Sequence, residues 1–202
     1  MSVKSRVKNF LANLLYWILK SPEYNEVCMS KLKSEFKSLG KNPKIFETAH
    51  IKNPQYISIG NDFQSMYNLR LEAWDYYIGQ NFKPQIIIGN NVSMNTDIHI
   101  ACIDEINIAD NVMMASRVYI SDHSHGDSTL ESLSTIANRR PLTSKGPVVI
   151  EKNVWIGEGA CILSGVTVGE NSIIGANAVV TKSFPKNSII AGVPARIIKQ
   201  LP

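Results

Sequence analysis

The 202-residue chain is poor in cysteine, in charge and in long apolar runs. Its three cysteines, Cys28, Cys102 and Cys161, are odd in number and share no disulfide or metal spacing, so free thiols in a reducing compartment are expected. No uninterrupted apolar stretch reaches the ~18 residues that a membrane-spanning helix needs. The apolar segment 10–19 is not followed by an A-x-A-like site, so no secretory signal is predicted. Charged residues make up 19% of the chain and apolar ones 44%, which describes a globular chain able to bury a core. Histidine is scarce as well, with four in all: His50, His99, His123 and His125.

A basic groove across the fold is also missing. Residues 1–44 hold nine Lys/Arg against three Asp/Glu, and the remainder holds twelve against fourteen, so the net charge of +4 is an N-terminal property. Nucleic acid is therefore not an expected partner. The first 20 residues carry four basic side chains and no acidic one, and Phe10, Leu14, Tyr16 or Trp17, and Ile18 can share a helical stripe. Two readings follow: a helix packed on its own domain or a neighbouring subunit, or a helix lying on an anionic membrane. Helices are predicted over 3–19 and 22–39, the second opened by Ser21-Pro22-Glu23. The expected organisation is a helical segment 1–44 followed by one domain over 45–202.

What the chain does have is a six-residue clock. Ile150, Ile156, Ile162, Val168, Ile174 and Val180 recur at intervals of six, and Val154, Ala160, Val166, Ser172, Ala178 and Phe184 follow four places behind. The same beat runs through Ile88, Met94 and Ile100, then Ile108, Met114 and Ile120, offset by two residues near 104–107. Six fits neither the helix period nor simple strand alternation. A short strand with an inward apolar residue and a tight corner does fit, three such sides closing a coil of 18 residues. One coil cannot bury its inward face alone, so successive coils stack into a prism. Asn90, Asn91, Asn111, Asn153, Asn171 and Asn177 fall where corners need left-handed backbone.

Two stretches interrupt the clock, EAWDYYIGQNFKPQ over 72–85 and the polar excursion SDHSHGDSTLESLSTIANRRPLTSKGP over 121–147. Long loops on a regular scaffold commonly carry function. The tail SIIAGVPARIIKQLP leaves the hexad and is predicted to form a turn and a short helix.

The combination KNVWIGEGACILSGVTVGENSIIGANAVVTKSF…AGVPARIIK is similar to the hexapeptide-repeat acyltransferases, in the branch of maltose, galactoside, streptogramin and capsule or O-antigen O-acetyltransferases. The resemblance covers roughly 57–199 and is most specific over 148–198. It implies a mainly β fold, a left-handed parallel β-helix, which departs from the usual right-handed crossover. It also implies a homotrimer with active sites between neighbouring prisms and acetyl-CoA along the groove, no metal being required. The implied donor contacts are Ala176, Thr181, Lys182, Arg196 and Lys199. Glu158 stands where the sugar enzymes commonly have Ser.

An acceptor hydroxyl needs a general base to attack a thioester, and histidine suits that work near neutral pH. His50 is expected to be structural or exposed, and His99, one place before the inward Ile100, to point outward. An ungapped count from Ile120 gives the family's catalytic position to His125, and a two-residue shift gives it to His123. Asp122 can hold a ring in the right tautomer or serve as a turn residue. Cys102 and Cys161 lie inside hexads, so coil packing rather than an acetyl-cysteine is expected. Acceptor candidates are Trp74 and Trp155 as stacking platforms, and the resemblance to the sugar enzymes implies Asn95, and Asp104 at one residue's offset, as polar contacts. Arg139, Arg140 and Lys145 either attract an acidic glycan or solubilise the loop.

The sequence thus reads as an acetyl-CoA-dependent O-acetyltransferase acting by direct transfer on a sugar or a surface-polysaccharide precursor. Such an enzyme is expected in the cytoplasm or at the inner face of the membrane. An amino-sugar amine or an antibiotic hydroxyl is the alternative acceptor, and a non-catalytic β-helix scaffold the alternative role. A zinc lyase on the same prism needs three converging histidines, and the H-x4-H spacing is missing.

Overall fold

The structure, a computed structural model, describes residues 34–46 and 48–202. The amphipathic stripe of the first 20 residues, the helix expected over 3–19 and Cys28 lie outside the described residues. The helix expected over 22–39 does not reach its predicted end, because Ser38–Leu39 is a strand. That strand pairs in parallel with Ile57–Ile59, so the repeating domain begins ahead of the expected boundary at 45.

Residues 37–202 form one compact unit made of three parallel walls. The first contains Ser38–Leu39, Ile57–Ile59, Gln85–Ile88, Glu105–Ile108, Val148–Ile150 and Thr167–Val168. The second contains His50–Lys52, Arg70–Ala73, His99–Cys102, Tyr119–Ser121, Cys161–Ile162 and Val179–Val180. The third contains Gln64–Ser65, Ser93–Met94, Met113–Met114, Trp155–Ile156, Ile173–Ile174 and Ser188–Gly192. The chain visits the walls in turn, and each coil stacks on the last in register. The result is a left-handed parallel β-helix of hexapeptide repeats.

Each side buries two residues, not one. Ile98 and Ile100, Val118 and Ile120, and Val154 and Ile156 all point inward around an outward residue. The small residues trailing the clock are therefore the second inward member of each side. This is ordinary strand alternation cut to three residues by the corners. Aligned Ile59, Ile88, Ile108, Ile150 and Val168 fill one column of the core and are almost completely buried.

Corners are made by left-handed residues. Asn91, Asn111, Asn153, Asn171 and Asn177 all have φ between 54° and 62°. Asn90 is the exception among the predicted corner residues. It donates instead to the Asp110 carboxylate on the next coil, from its backbone N–H at 2.6 Å and its side-chain amide at 3.2 Å. Asn153 passes its side-chain N–H to Asn171 at 2.7 Å, and Asn171 passes one to Asn187 at 3.3 Å.

The tail corrects the predicted short C-terminal helix. Ala195–Gln200 is a strand, antiparallel to Ser188–Gly192. Gly192, at φ 100°, reverses the chain without a Cβ penalty. The exposed edge of Ser188–Gly192 then offers backbone partners to Arg196-Ile197-Ile198, whose β-branched pair suits a strand. Pairing there covers the end of the third wall.

Between Ile100 and Ile108 the chain spends eight residues where a plain hexad spends six, and the extra pair is the wide corner at Ile103-Asp104. This corner joins the second wall to the first. Both excursions leave the prism at the same corner, one from the coil on either side. The first is a hairpin, Tyr76–Tyr77 against Gln80–Asn81. In the second, Ser124–His125 pairs with Leu142–Thr143, with a five-residue helix, Leu130–Ser134, between them.

Candidate active site

Stacking brings outward side chains of the second wall into vertical columns. His50, Arg70, His99 and Tyr119 occupy one column, and Lys52, Glu72, Ala101 and Ser121 the next. The two excursions rise beside these columns and enclose a cleft. Its floor is Glu72, His99, Ala101 and Tyr119, and its sides are Trp74 and Tyr77 from one excursion and His123, His125 and Leu142 from the other.

At the root of the larger excursion, Asp122 is fully buried. Its oxygens accept from the Ile103 N–H at 2.9 and 3.1 Å, the Asp104 N–H at 2.8 Å and the Cys102 thiol at 3.1 Å. One further contact is His123 Nδ1, at 2.8 Å from Oδ1. A carboxylate accepts only, so Nδ1 carries the proton and, in the neutral ring, Nε2 keeps its lone pair. The His123 ring is 10% exposed and lines the cleft. A buried carboxylate orienting an imidazole is the arrangement a general base needs.

Cys102 is part of this support and is no nucleophile. Burial, reinforced by the negative charge of Asp122 and the S–H donation to it, pushes the thiol far up and keeps it protonated. Cys161 is half-buried on the outer face of the second wall.

His125 stands two residues on, in the exposed ladder, with its Nδ1 3.3 Å from the Tyr77 hydroxyl. His99 points outward as expected, but it points into the cleft. Its Nε2 lies 3.1 Å from Glu72 Oε2, and Arg70 donates to Glu72 Oε1 at 2.8 Å. His50, mostly exposed, sits 3.5 Å from the same Oε1. Burial pushes the Glu72 carboxyl up, but the hydrogen bonds and charges of Arg70 and His99 outweigh it and hold it below the ordinary value. Burial also lowers the His99 imidazole, against the pull of Glu72 and with help from Arg70 and His123.

The remaining expected residues divide into groups. Trp74 is in the cleft, with Lys52 Nζ 3.0 Å above its ring centroid. Asp104 adjoins the site through its backbone N–H on Asp122. Asn95 and Trp155 belong to the third-wall side, outside the cleft of their own chain, and Trp155 is 47% exposed. Arg140 is committed to the excursion's own structure, donating to the Thr135 carbonyl at 3.0 Å and the Leu133 carbonyl at 3.3 Å.

The donor candidates are all exposed and are spread over two corners and the C-terminal tail. Glu158 and Ala176 stack at the corner between the third and second walls, where the Asn177 N–H donates to the Glu158 carbonyl at 2.7 Å. Glu158 is paired with Arg117 at 2.5 Å. Thr181 and Lys182 follow the last strand of the second wall, and Arg196 and Lys199 lie on the antiparallel tail, all four exposed. Sequence reasoning missed Glu72, Tyr77 and Tyr119. Register with His99 marks Tyr119 as outward on the same wall, but only the meeting of the excursions singles out Tyr77. Among the described residues, no three His, Cys, Asp or Glu side chains are grouped to hold a metal ion.

Residues 147–182 match the bacterial transferase hexapeptide family (six repeats). Over 155 residues the chain is 37% identical to the putative lipopolysaccharide biosynthesis O-acetyl transferase WbbJ of Escherichia coli, covering 75% of each protein. A solved galactoside acetyltransferase in complex with coenzyme A superposes with TM-score 0.61 at 26% identity, over 100% of this chain and 84% of that one. AntD, an N-acyltransferase from Bacillus cereus in complex with dTDP and 3-hydroxybutyryl-CoA, superposes with TM-score 0.66 at 25% identity, over 86% and 88% of the two chains.

Proposed function

This chain is a hexapeptide-repeat transferase, an acyltransferase, and from that premise we propose that it moves an acetyl group from acetyl-CoA to a sugar hydroxyl, with His123 as general base. The single observation that carries the assignment of the base is the buried Asp122–His123 pair beside the cleft. It reverses the order suggested by an ungapped count, which favours His125. The acceptor class follows the relatives: a lipopolysaccharide O-acetyl transferase and a galactoside acetyltransferase both point to a glycan or its precursor.

The chemistry closes with these residues. Nε2 of His123 takes the proton of the acceptor hydroxyl as its oxygen attacks the thioester carbonyl carbon. The C–S bond then breaks, and the imidazolium returns the proton to the departing thiolate. Asp122 holds the ring and stabilises its charged form. On the donor side, Lys182, Arg196 and Lys199 suit the phosphates of CoA, Thr181 stands beside them, and Ala176 and Glu158 border the pantetheine path.

Glu158 and Ala176 stand at a different corner of the prism from the cleft, while Thr181 and Lys182 stand at the cleft's own corner two coils on; a donor groove that reaches both corners suits a homotrimer whose sites lie between neighbours. Trp155 and Asn95 then face the cleft of the adjacent subunit. The basic pattern of residues 1–20 suits docking at an anionic membrane surface where a lipid-linked acceptor resides. The AntD likeness supports an amine acceptor as the second reading, served by the same base.

The test is thiol release from acetyl-CoA with matched panels of pyranosides and amino sugars. Turnover with a hydroxyl acceptor should fall by at least ~100-fold in His123→Ala, with acetyl-CoA affinity retained. Full turnover in His123→Ala beside a dead His125→Ala transfers the role to His125.

A further inference from the structure

The two excursions are separate insertions, yet they are tied together at two points. Gln80 grips Leu142 by its backbone, accepting from the N–H at 2.8 Å and donating to the carbonyl at 3.5 Å. Leu142 is the residue opposite His125 in the short ladder. Tyr77 makes the second tie. Its hydroxyl lies 3.0 Å from the Asn138 carbonyl and 3.3 Å from His125 Nδ1.

The Asn138 carbonyl can only accept and is the nearer of the two neighbours, so the single hydroxyl hydrogen of Tyr77 is assigned to it. With that assignment a lone pair of the phenol oxygen faces His125, and Nδ1 supplies the hydrogen of the contact. Nε2 of His125 is left bare. The ring is also held edge-on by the tyrosine, centroids 5.3 Å apart at 71°, and Tyr77 in turn stands edge-on to Trp74 at 6.3 Å and 81°.

We propose that Tyr77 is a positioning residue that fixes His125 as its Nδ1–H tautomer, presenting a second lone-pair imidazole nitrogen in the cleft beside His123. This rests on the acyl-transfer reading of the cleft. Two imidazoles with bare Nε2 atoms suit an acceptor with two neighbouring hydroxyls, one deprotonated by His123 and the other donating to His125. Acceptors of this class are vicinal diols of pyranose rings rather than isolated alcohols.

The experiment is long-range proton–nitrogen NMR on the full chain labelled with 15N-histidine, recorded where the imidazoles are neutral. Both His123 and His125 should show the Nδ1–H pattern. Tyr77→Phe keeps both ring contacts and removes only the hydroxyl, so His125 should move to a mixture rich in Nε2–H while His123 stays as it was. Gln80→Ala should speed amide exchange at Leu142 about tenfold yet leave the His125 tautomer unchanged. A wild-type His125 already mixed or Nε2-protonated overturns the proposal, with no variant needed, as does a Tyr77→Phe spectrum identical to wild type. None of these readouts uses turnover, so a failure here is distinct from a failure of His123 as base.

Discussion

Glu72 and His99 show how single side chains link the site to stability. The His99 imidazole is held below its ordinary value of 6.5, chiefly by burial. Between that value and its lower folded value, the unfolded chain binds a proton that the native one refuses, so stability falls as pH falls through the window. Glu72 acts the same way further down: its folded value is depressed below 4.5, so its contribution is present above 4.5 and lost on further acidification. Thermal melts should therefore show a melting temperature that declines below pH 6.5 in wild type and declines less over that first window in His99→Gln. Equal slopes would remove His99 as the titrating group. Little of this was legible in the sequence. That His99 points outward follows from Ile100 pointing inward, but its partner Glu72 lies one coil away, at the start of the excursion over 72–85, and no local pattern marks the pair.

Coils and corners were the legible elements, because an inward position must be apolar and a corner must tolerate left-handed backbone. Those two demands write a six-residue period into the chain. The tail was misread because six residues such as ARIIKQ satisfy a helix or a strand equally. The unpaired edge of Ser188–Gly192, a tertiary feature, made the choice. The position of the cleft was hidden for a similar reason: it depends on both excursions leaving at the Ile103-Asp104 corner, and a two-residue offset is a faint mark. Coil spacing also sets a test. A Cβ built on Gly157 would lie 2.6 Å from the Ala176 backbone nitrogen on the next coil. Gly157→Ala should cost about 1–3 kcal/mol in denaturant unfolding, as overpacked sites do. It should also weaken acetyl-CoA binding, because Ala176 belongs to the proposed donor edge. Calorimetry checks the second effect, and an unchanged affinity would detach Ala176 from the donor.

At the scale of the whole molecule, the third wall leaves an apolar column uncovered. Met113 and Trp155 are paired in register and are 50% and 47% exposed, with Ile173 next in line. Apolar columns of this kind usually mark contact with another chain. Sedimentation should give a trimer for the wild type, and Met113→Glu should shift it to monomer with turnover lost alongside. A monomeric and active wild type would refute the shared-site arrangement. The coil repeat has a consequence of its own. Strands of one wall lie about 4.8 Å apart, so the prism is a ruler graduated in coils. Asp122–His123 is rooted one graduation from Cys161–Ile162 and two from Val179–Val180. Duplicating the 18 residues that separate Ile150 from Val168 would leave every corner and core contact of the kind already present. It would nevertheless slide Ala176, Thr181 and Lys182, the proposed donor contacts beyond Val168, one graduation away from His123, the proposed base. Distances between the proposed half-sites can thus change only in whole steps, and the reach they would give a substrate is quantised by coil number.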